Sequence, residues 1–159
     1  MNRFFVSMED GLKEPSWIGN VEPYMSLVTQ EIGYDDEEVS IAFCTDAFIQ
    51  KLNKQYRDID SQTDVLSFED GEEYTDEDGV KWFSAGDIII SLETLPKNAQ
   101  YFGVSENDEL KRLLLHGLLH LNGYDHGEEH VEPNVEPTNE MLSLQEKTLK
   151  KFADYKIIQ

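Results

Sequence analysis

The sequence predicts an α/β (α+β) protein with a small, mostly parallel four-stranded sheet packed by helices. Short apolar segments alternate with segments of helical periodicity, which is the element order of α/β proteins. Residues 88–90 are three consecutive isoleucines, a run that suits a strand buried on both faces. A long helical pattern carries a stripe of leucines for packing, at Leu110, Leu114, Leu118 and Leu121.

The first half of the chain alternates between strand and helix. Residues 3–7 and 38–44 have the short apolar character of strands, and residues 21–32 carry apolar side chains at helical spacing. Thr45 and Asp46 can cap a second helix directly after the second strand. This half therefore predicts two β-then-α units.

Two more strands with a hairpin between them are predicted next. Residues 63–68 and 86–91 have the composition of strands. Between them, residues 69–85 contain the turn signal Asp78-Gly79 and could form a protruding acidic hairpin.

Three helices complete the prediction. The first covers residues 92–102 and accepts Pro96 in its first turns. A longer helix is opened by the capping-box pattern at Ser105, and a terminal helix covers residues 139–152. There is no internal repeat and no sign of a second domain, so residues 1–159 are predicted to form one domain.

The composition is that of an ordinary globular protein without disulfides. Of the 159 residues, 39% are apolar and 11% are aromatic, which is enough for a hydrophobic core. Cys44 is the single cysteine, and in a predicted strand it is expected to be buried and unreactive. No apolar run has the length of a membrane span or a signal-peptide core, so we expect a cytoplasmic protein without a membrane partner.

The net charge of −20 argues against a nucleic-acid partner, because phosphate binding relies on basic side chains. The positions of the charged residues along the chain matter more than the net charge. Seven of the 33 acidic residues lie between Glu69 and Asp78, in the predicted hairpin. Lys51, Lys54 and Arg57 recur every three residues on one face of a predicted helix. This spacing fits a small basic stripe and, equally well, a solvated helix face whose cations favour the C-terminal end.

Three of the four histidines fall in one eleven-residue segment, at His116, His120 and His126. Residues 116 and 120 are about one helical turn apart, so both imidazoles can face one ion. Asn122-Gly123 favours the left-handed conformation that ends helices, and the chain can then turn back to present His126. Three nitrogen donors with no fourth protein ligand in the segment are typical of an open, catalytic zinc site.

The spacing of these histidines is that of the metzincin peptidases, H-E-x-x-H-x-x-G-x-x-H, with one difference. Gly117 stands where the peptidases have the glutamate that takes a proton from the zinc-bound water. Glycine has no side chain that could accept a proton. Peptidase chemistry is therefore disfavoured.

Other polar residues near these segments provide no clear proton acceptor. Asp125 is predicted to orient an imidazole or to form a turn hydrogen bond. Asp64 and Asp87 fall at the ends of predicted strands, where turn or capping roles suit them at least as well as catalysis. His130 lies between Gly127 and two prolines that disfavour a helix, and we expect it to be exposed to solvent.

Four ordered motifs resemble the YbeY family of bacterial endoribonucleases and rRNA maturation factors. They are residues 52–57 (LNKQYR), 63–68 (TDVLSF), 86–91 (GDIIIS) and the histidine segment 116–126. The resemblance covers roughly residues 39–145. Two departures concern the approach of substrate: Gln62 stands where relatives often have proline or a basic residue, and the acidic insertion after Phe68 is longer than is common.

The resemblance implies that the chain binds one Zn²⁺ through His116, His120 and His126 and cleaves single-stranded RNA, in 16S rRNA maturation and ribosome quality control. It also implies a catalytic role for Arg57, whose planar guanidinium matches phosphate oxygens. The implied partners are rRNA, ribosomal proteins and a ribosome-assembly GTPase, and not DNA.

The leading hypothesis is zinc-assisted phosphodiester cleavage in which Arg57 stabilises charge on phosphorus and the RNA 2′-hydroxyl could serve as nucleophile. The residue patterns by themselves are also compatible with two other functions. A metal-dependent hydrolase of small molecules or peptides would use the same site, although Gly117 weakens this interpretation. A ribosome-assembly protein with structural zinc would bind basic partners through its acidic surface, which the composition favours.

Overall fold

Four strands form one sheet in the computed structural model, which describes residues 1–127, 132 and 135–159. The strands are β1 (Arg3–Met8), β2 (Glu37–Cys44), β3 (Val65–Thr75) and β4 (Lys81–Ser91), and their order across the sheet is β1-β2-β4-β3. β1 pairs with β2, and β2 with β4, in parallel, whereas β3 and β4 form an antiparallel hairpin. The predicted mostly parallel sheet is confirmed.

Five α-helices and one 3-10 turn accompany the sheet within the described residues. They are α1 (Val21–Ile32), α2 (Asp46–Arg57), α3 (Thr94–Phe102), α4 (Glu106–Leu121) and α5 (Glu140–Lys151), with the 3-10 turn at Ile18–Asn20. The side chain of Thr45 accepts a hydrogen bond from the backbone N–H of Phe48 and caps α2. Ser105 caps α4 in the same way through the N–H of Asp108. Each cap satisfies an N–H group that the first turn leaves unpaired, which is why these helices begin where the sequence predicts.

Both faces of the sheet are covered. Ile88 and Ile90 are fully buried in the main core, together with apolar residues of α1 and α4. Ile89 points to the opposite face, because side chains alternate along a strand, and packs against a smaller cluster that contains Cys44 and Ile49 of α2. Burial raises the pKa of the Cys44 thiol to about 12, which keeps it protonated and unreactive at neutral pH.

β3 and β4 are longer than the predicted strands because the acidic segment 69–85 continues both of them outward to a turn at residues 76–80. The strand pairing is irregular near Gly86, whose φ is 138°. A Cβ at Gly86 would lie 2.0 Å from the carbonyl oxygen of Phe68, so only glycine fits this close approach. The glycine that marked the predicted start of β4 is therefore an irregularity within a strand that begins at Lys81.

One sequence prediction, that His130 is exposed to solvent, falls outside the described residues. Among the helices of the described part, none combines the length and the apolar character that crossing a bilayer requires.

Candidate metal site and cleft

Helix α4 separates an apolar side from a polar side. Leu110, Leu114 and Leu118 are fully buried in the core, while His116 and His120 are half-buried. The helix ends at Leu121, and Gly123, with a φ of 89°, turns the chain back toward the histidine side. The buried leucines hold α4 against the sheet, so its histidines stand on a rigid support.

The imidazoles of His116, His120 and His126 converge on one point. Their candidate ligand atoms all lie within 4.8 Å of one another, and the Nε2 atoms of His116 and His120 are 3.1 Å apart. The ring centroid of His126 is 5.1 Å from that of His116 and 5.2 Å from that of His120. Two nitrogens on one tetrahedral Zn²⁺, with bonds of about 2.0–2.1 Å, would be separated by about 3.3 Å. The observed spacing fits a single ion.

Hydrogen bonds determine which nitrogen of each helix histidine faces this point. Nδ1 of His116 lies 2.8 Å from Oε1 of Gln145 in α5, and Nδ1 of His120 lies 3.0 Å from the carbonyl oxygen of Tyr124. Both partners are oxygen acceptors, so each Nδ1 carries the hydrogen and donates it. Nε2 of each ring keeps its lone pair for a metal ion, as is usual for metal-binding histidines.

The environment of His120 favours its neutral, metal-binding form. Burial lowers the pKa of His120, and the neighbouring His126 lowers it further. Within the part of the chain that the structure describes, these three histidines are the only group of His, Cys, Asp or Glu donors close enough to share an ion. Three protein donors leave one coordination position for water or substrate, which is typical of catalytic zinc sites.

Gly117 is kept away from the site by the packing of α4 on the sheet. A Cβ at Gly117 would lie 2.8 Å from Cγ2 of Ile88, so this position faces β4 and has no room for a side chain. The sequence alone predicts that a glycine at this position provides no proton acceptor. The structure adds the steric cause.

A cleft of about 660 Å³ opens beside the histidines, and its wall includes α4, the beginning of β3 and the end of α2. Arg57 is the last residue of α2 and lines this cleft. Its Nη2 donates a hydrogen bond to the carbonyl oxygen of Ser67 at 2.6 Å, and its guanidinium lies 5.5 Å from the ring of Phe68. Arg57 is close enough to His120 that its charge contributes to the lowered pKa of that histidine.

The other two cations of the predicted basic stripe lie outside the cleft. Lys54 is 3.8 Å from Asp60, and Lys51 is exposed. Lys54 and Arg57 both stand in the last turn of α2, where cations interact favourably with the helix dipole. Arg57 is therefore the member of the stripe that shares a cavity with the histidines.

The candidate aspartates have structural partners. Asp64 lines the cleft, and its Oδ2 accepts a hydrogen bond from the side chain of Asn98 at 2.7 Å. Asp125 accepts from the backbone N–H of Gly127 at 3.1 Å, a turn contact that lowers the pKa of its carboxyl. Asp87 lies within β4 and not at a strand end, because β4 begins earlier than predicted. Structural contacts thus account for Asp64 and Asp125.

The cleft also contains three polar residues to which the sequence patterns assign no role, namely Glu109, Arg112 and Gln145. Glu109 and Arg112 precede His116 by about two turns and one turn of α4, so helical periodicity could have placed them on the histidine side. Gln145 belongs to another helix, and no sequence pattern indicates its contact with His116.

The acidic hairpin leads away from the cleft. Residues 65–67 and Glu69 of β3 line the cleft, whereas the turn of the hairpin begins at residue 76, about seven residues beyond Glu69, or about 23 Å of extended chain. The Tyr74 hydroxyl is hydrogen-bonded to Glu38 of β2, and Arg3 of β1 donates to Tyr74 at 2.6 Å. The hairpin therefore curves back over the sheet, and most of its acidic residues lie far from the histidines.

The fold and the site together define a mixed α/β protein with an open three-histidine site that could hold a metal ion. The family model described as Endoribonuclease YbeY matches residues 7–153, and the chain belongs to this family. The family resemblance that the four sequence motifs indicated is confirmed.

Individual relatives extend the match over most of the chain. The sequence is 52% identical to the Endoribonuclease YbeY of Treponema denticola over 137 residues, which is 86% of this chain and 84% of that protein. It is 48% identical to the Endoribonuclease YbeY of Treponema pallidum over 149 residues, or 94% of this chain and 89% of that protein. The solution structure of TM1509 from Thermotoga maritima matches with a TM-score of 0.60 and 28% identity, covering 96% of this chain and 91% of that one.

Proposed function

We propose that this protein is a zinc-dependent endoribonuclease that cleaves single-stranded RNA. The observation that carries the proposal is the convergence of His116, His120 and His126 in a cleft that also contains Arg57. A permanently charged guanidinium beside three nitrogen donors suits a phosphodiester substrate better than a peptide. The name that the relatives carry, Endoribonuclease YbeY, supports the same substrate class.

One zinc ion per chain would be held by His116, His120 and His126. When bound, zinc supplies a Lewis acid for a phosphoryl oxygen and lowers the pKa of a coordinated water to about 7. Gln145 and the carbonyl of Tyr124 keep two of the imidazoles in the tautomer that such a site needs. An all-imidazole donor set is compatible with zinc and with several other divalent metals, so elemental analysis is part of the test.

Arg57 would act as a catalytic residue by stabilising the negative charge that develops on the phosphorus oxygens. The carbonyl of Ser67 holds Nη2, which orients the guanidinium within the cleft. The RNA 2′-hydroxyl could be the nucleophile: its oxygen would bond to phosphorus as the bond to the 5′-oxygen breaks, leaving a cyclic phosphate. DNA lacks this hydroxyl and would not be cleaved.

The family resemblance supports a role in 16S rRNA maturation and ribosome quality control in the cytoplasm, with residues 1–159 acting as one domain. Ribosomal proteins and a ribosome-assembly GTPase are the proposed protein partners. The acidic hairpin, with its turn at residues 76–80, is exposed and directed away from the cleft. A surface of this charge suits a basic protein and leaves the cleft free for RNA.

RNA cleavage by the purified protein tests the proposal. Wild type, His116→Ala, Arg57→Ala and the control Lys54→Ala are compared on single-stranded RNA, structured RNA and a matched DNA oligonucleotide, with zinc measured by elemental analysis. Lys54 is in the same helix as Arg57 but outside the cleft. We expect His116→Ala to lose zinc and activity, and Arg57→Ala to keep zinc while activity falls about 10²–10³-fold.

The outcomes separate the alternatives. Clean hydrolysis of the DNA oligonucleotide would exclude the 2′-hydroxyl route. A weak cleavage equal in all variants would indicate a contaminating nuclease and favour an assembly protein with structural zinc, a function that the net charge of −20 supports. Zinc-dependent activity on other esters or amides, without RNA cleavage, would favour a hydrolase of another substrate.

A further inference from the structure

Glu109 and Arg112 form a buried ion pair in the wall of the cleft. Nη1 of Arg112 lies 3.3 Å from Oε1 of Glu109, and the two side chains are only 13% and 1% exposed, respectively. Both residues line the same cleft as the three histidines. Removing two charges from water is costly unless good hydrogen bonds replace the lost hydration, so a pair in this position requires an explanation.

The pair is not satisfied by its own hydrogen bonds. Oε1 of Glu109 and both Nε and Nη1 of Arg112 are buried without a hydrogen-bond partner among the described residues. Nη1 of Arg112 and Oε1 of Glu109 are thus close enough for an ion pair, but their geometry does not meet that of a hydrogen bond. Because buried polar groups are nearly always hydrogen-bonded, unused donors in a cleft wall point to a ligand as their partner.

Phe102 holds the guanidinium of Arg112 from another side. Cζ of Arg112 lies 4.3 Å from the centroid of the Phe102 ring, well within the range of a cation–π contact. This contact supports the guanidinium and uses none of its N–H groups. No hydrogen bond of Nε or Nη1 has to break when the guanidinium turns toward an anion in the cleft.

Arg112 is well placed relative to the histidines. It precedes His116 by four residues of α4, which is about 6 Å along the helix axis and nearly the same face. Adjacent phosphates along a single strand are separated by a similar distance. Among the described residues that line the cleft, Arg57 and Arg112 are the two that carry permanent positive charge.

We propose that Arg112 binds the phosphate next to the scissile one, with Glu109 and Phe102 as the residues that position its guanidinium. This inference rests on the proposed RNA-cleaving function. A guanidinium can hold a phosphate through two parallel N–H bonds, which gives both affinity and orientation. It would fix the register of the strand so that the neighbouring phosphate lies at the histidines and Arg57.

Protonation of Glu109 favours the binding of a phosphate by Arg112. Burial raises the pKa of its carboxyl to about 7, and the charge of Arg112 opposes this shift. A carboxyl that is partly protonated near neutral pH leaves more of the arginine's charge available to phosphate.

The test compares two variants that both lack the buried carboxylate, Glu109→Gln and the double variant Glu109→Gln/Arg112→Gln. This comparison avoids leaving the Glu109 charge buried and unpaired, which could prevent Arg112→Gln from folding. The probe is a single-stranded 2′-O-methyl RNA oligonucleotide, which resists cleavage through its 2′-hydroxyl. Binding to zinc-loaded protein is measured by fluorescence anisotropy at several salt concentrations. Lys13→Gln is the control, because Lys13 is exposed and outside the cleft.

We expect the double variant to bind the RNA about tenfold more weakly than Glu109→Gln. The slope of log affinity against log salt should decrease by about 0.7, which corresponds to one lost phosphate contact. A purely structural arginine would leave this slope unchanged. Glu109→Gln/Arg112→Lys should keep the slope, because lysine retains the charge, and lose only a few-fold in affinity because it lacks the planar fork.

The role of Arg112 would be overturned if Glu109→Gln and the double variant bound RNA with equal affinity and equal salt slope while the wild type still bound RNA. That outcome would leave the proposed function standing. Absence of RNA binding by the zinc-loaded wild type would overturn the role of Arg112 together with the proposed function. A tenfold loss in Lys13→Gln as well would show that the effect depends on overall charge and would also overturn the assignment.

Discussion

Oε1 of Gln145 lies 2.8 Å from Nδ1 of His116 and connects the last helix of the protein to the candidate metal site. Gln145 is fully buried, and its Nε2 donates to Glu146 at 3.0 Å, so both ends of the amide have a partner. The amide oxygen therefore faces the histidine. The tautomer of His116 depends on a residue that lies 29 positions later in the chain.

Replacing Gln145 with leucine should weaken zinc binding while preserving the fold. The substitution removes the acceptor that orients His116 and keeps a similar buried volume, and the loss of such a partner typically costs 10–100-fold in metal affinity. We expect a decrease of about tenfold, measured by competition with a chromophoric chelator. Gln55→Leu, at an exposed position of α2, is the matched control. Unchanged zinc affinity in Gln145→Leu would contradict the orienting role.

Gly117→Ala should destabilise the protein, although alanine is the better helix former. In an ordinary helix interior this change stabilises by roughly 0.5–1 kcal/mol. Here the added methyl group would meet Cγ2 of Ile88 at 2.8 Å, and overpacking of this kind typically costs about 1–3 kcal/mol. Urea denaturation of the wild type and the variant measures the difference.

The partner of the clash provides the control for Gly117→Ala. Ile88→Ala alone should destabilise by creating a cavity, whereas the double variant should be less destabilised than the sum of the two single variants. Strict additivity would show that the Gly117 methyl group and Ile88 do not meet.

Lys111→Met should lower the free energy of unfolding by about 2–3 kcal/mol, because hydrogen bonds from a charged group would be lost and their acceptors left unpaired. Lys111 is only 2% exposed, and its Nζ donates to the carbonyl oxygens of Phe152 at 2.8 Å and Tyr155 at 3.1 Å. Both carbonyls lie just after the end of α5, so Lys111 attaches the C-terminal segment of the chain to α4. Lys150→Met, at an exposed position of α5, is the comparison, and urea denaturation is the measurement.

The metal-free protein should lose stability as the pH falls below about 6.5. Burial lowers the pKa of His120 in the folded state, with His126 as the next cause, whereas the unfolded chain keeps the ordinary value of about 6.5. Between these two values the unfolded chain binds the proton more readily, so acid favours unfolding. Denaturation of zinc-free wild type and His120→Gln from about pH 8 to about pH 5 checks this expectation, because the variant should respond less. Parallel curves for the two proteins would count against it.

Local patterns in the sequence are sufficient to predict most of the architecture. The helix at residues 21–32 and the caps at Thr45 and Ser105 depend on neighbours within one or two turns, and the structure has them as predicted. The sequence pattern predicts a start of β4 that is too late, because Gly86 resembles a strand boundary and is in fact a close approach between two strands. The ion pair of Glu109 and Arg112 could have been found from the helical period.

Contacts between distant segments limit what the sequence can predict about the site. Gln145 meets His116 only because α5 packs against α4, and Gly117 is small because Ile88 of β4 passes beneath it. Neither relationship leaves a periodic signal. The three histidines are recognisable because two of them share a helix face and the third follows its end.

The direction of the acidic hairpin concentrates negative charge toward the end of the sheet that lies away from the cleft. Its turn at residues 76–80 lies at the opposite end of β3 from the residues that line the cleft. A polyanion that approaches the hairpin end is repelled, whereas the cleft presents Arg57 and Arg112 among the carboxylates Asp64, Glu69 and Glu109. Repulsion from the hairpin should therefore orient RNA before any contact forms. The negative charge of the hairpin lowers the overall attraction between protein and RNA, and it also favours approach from the cleft end.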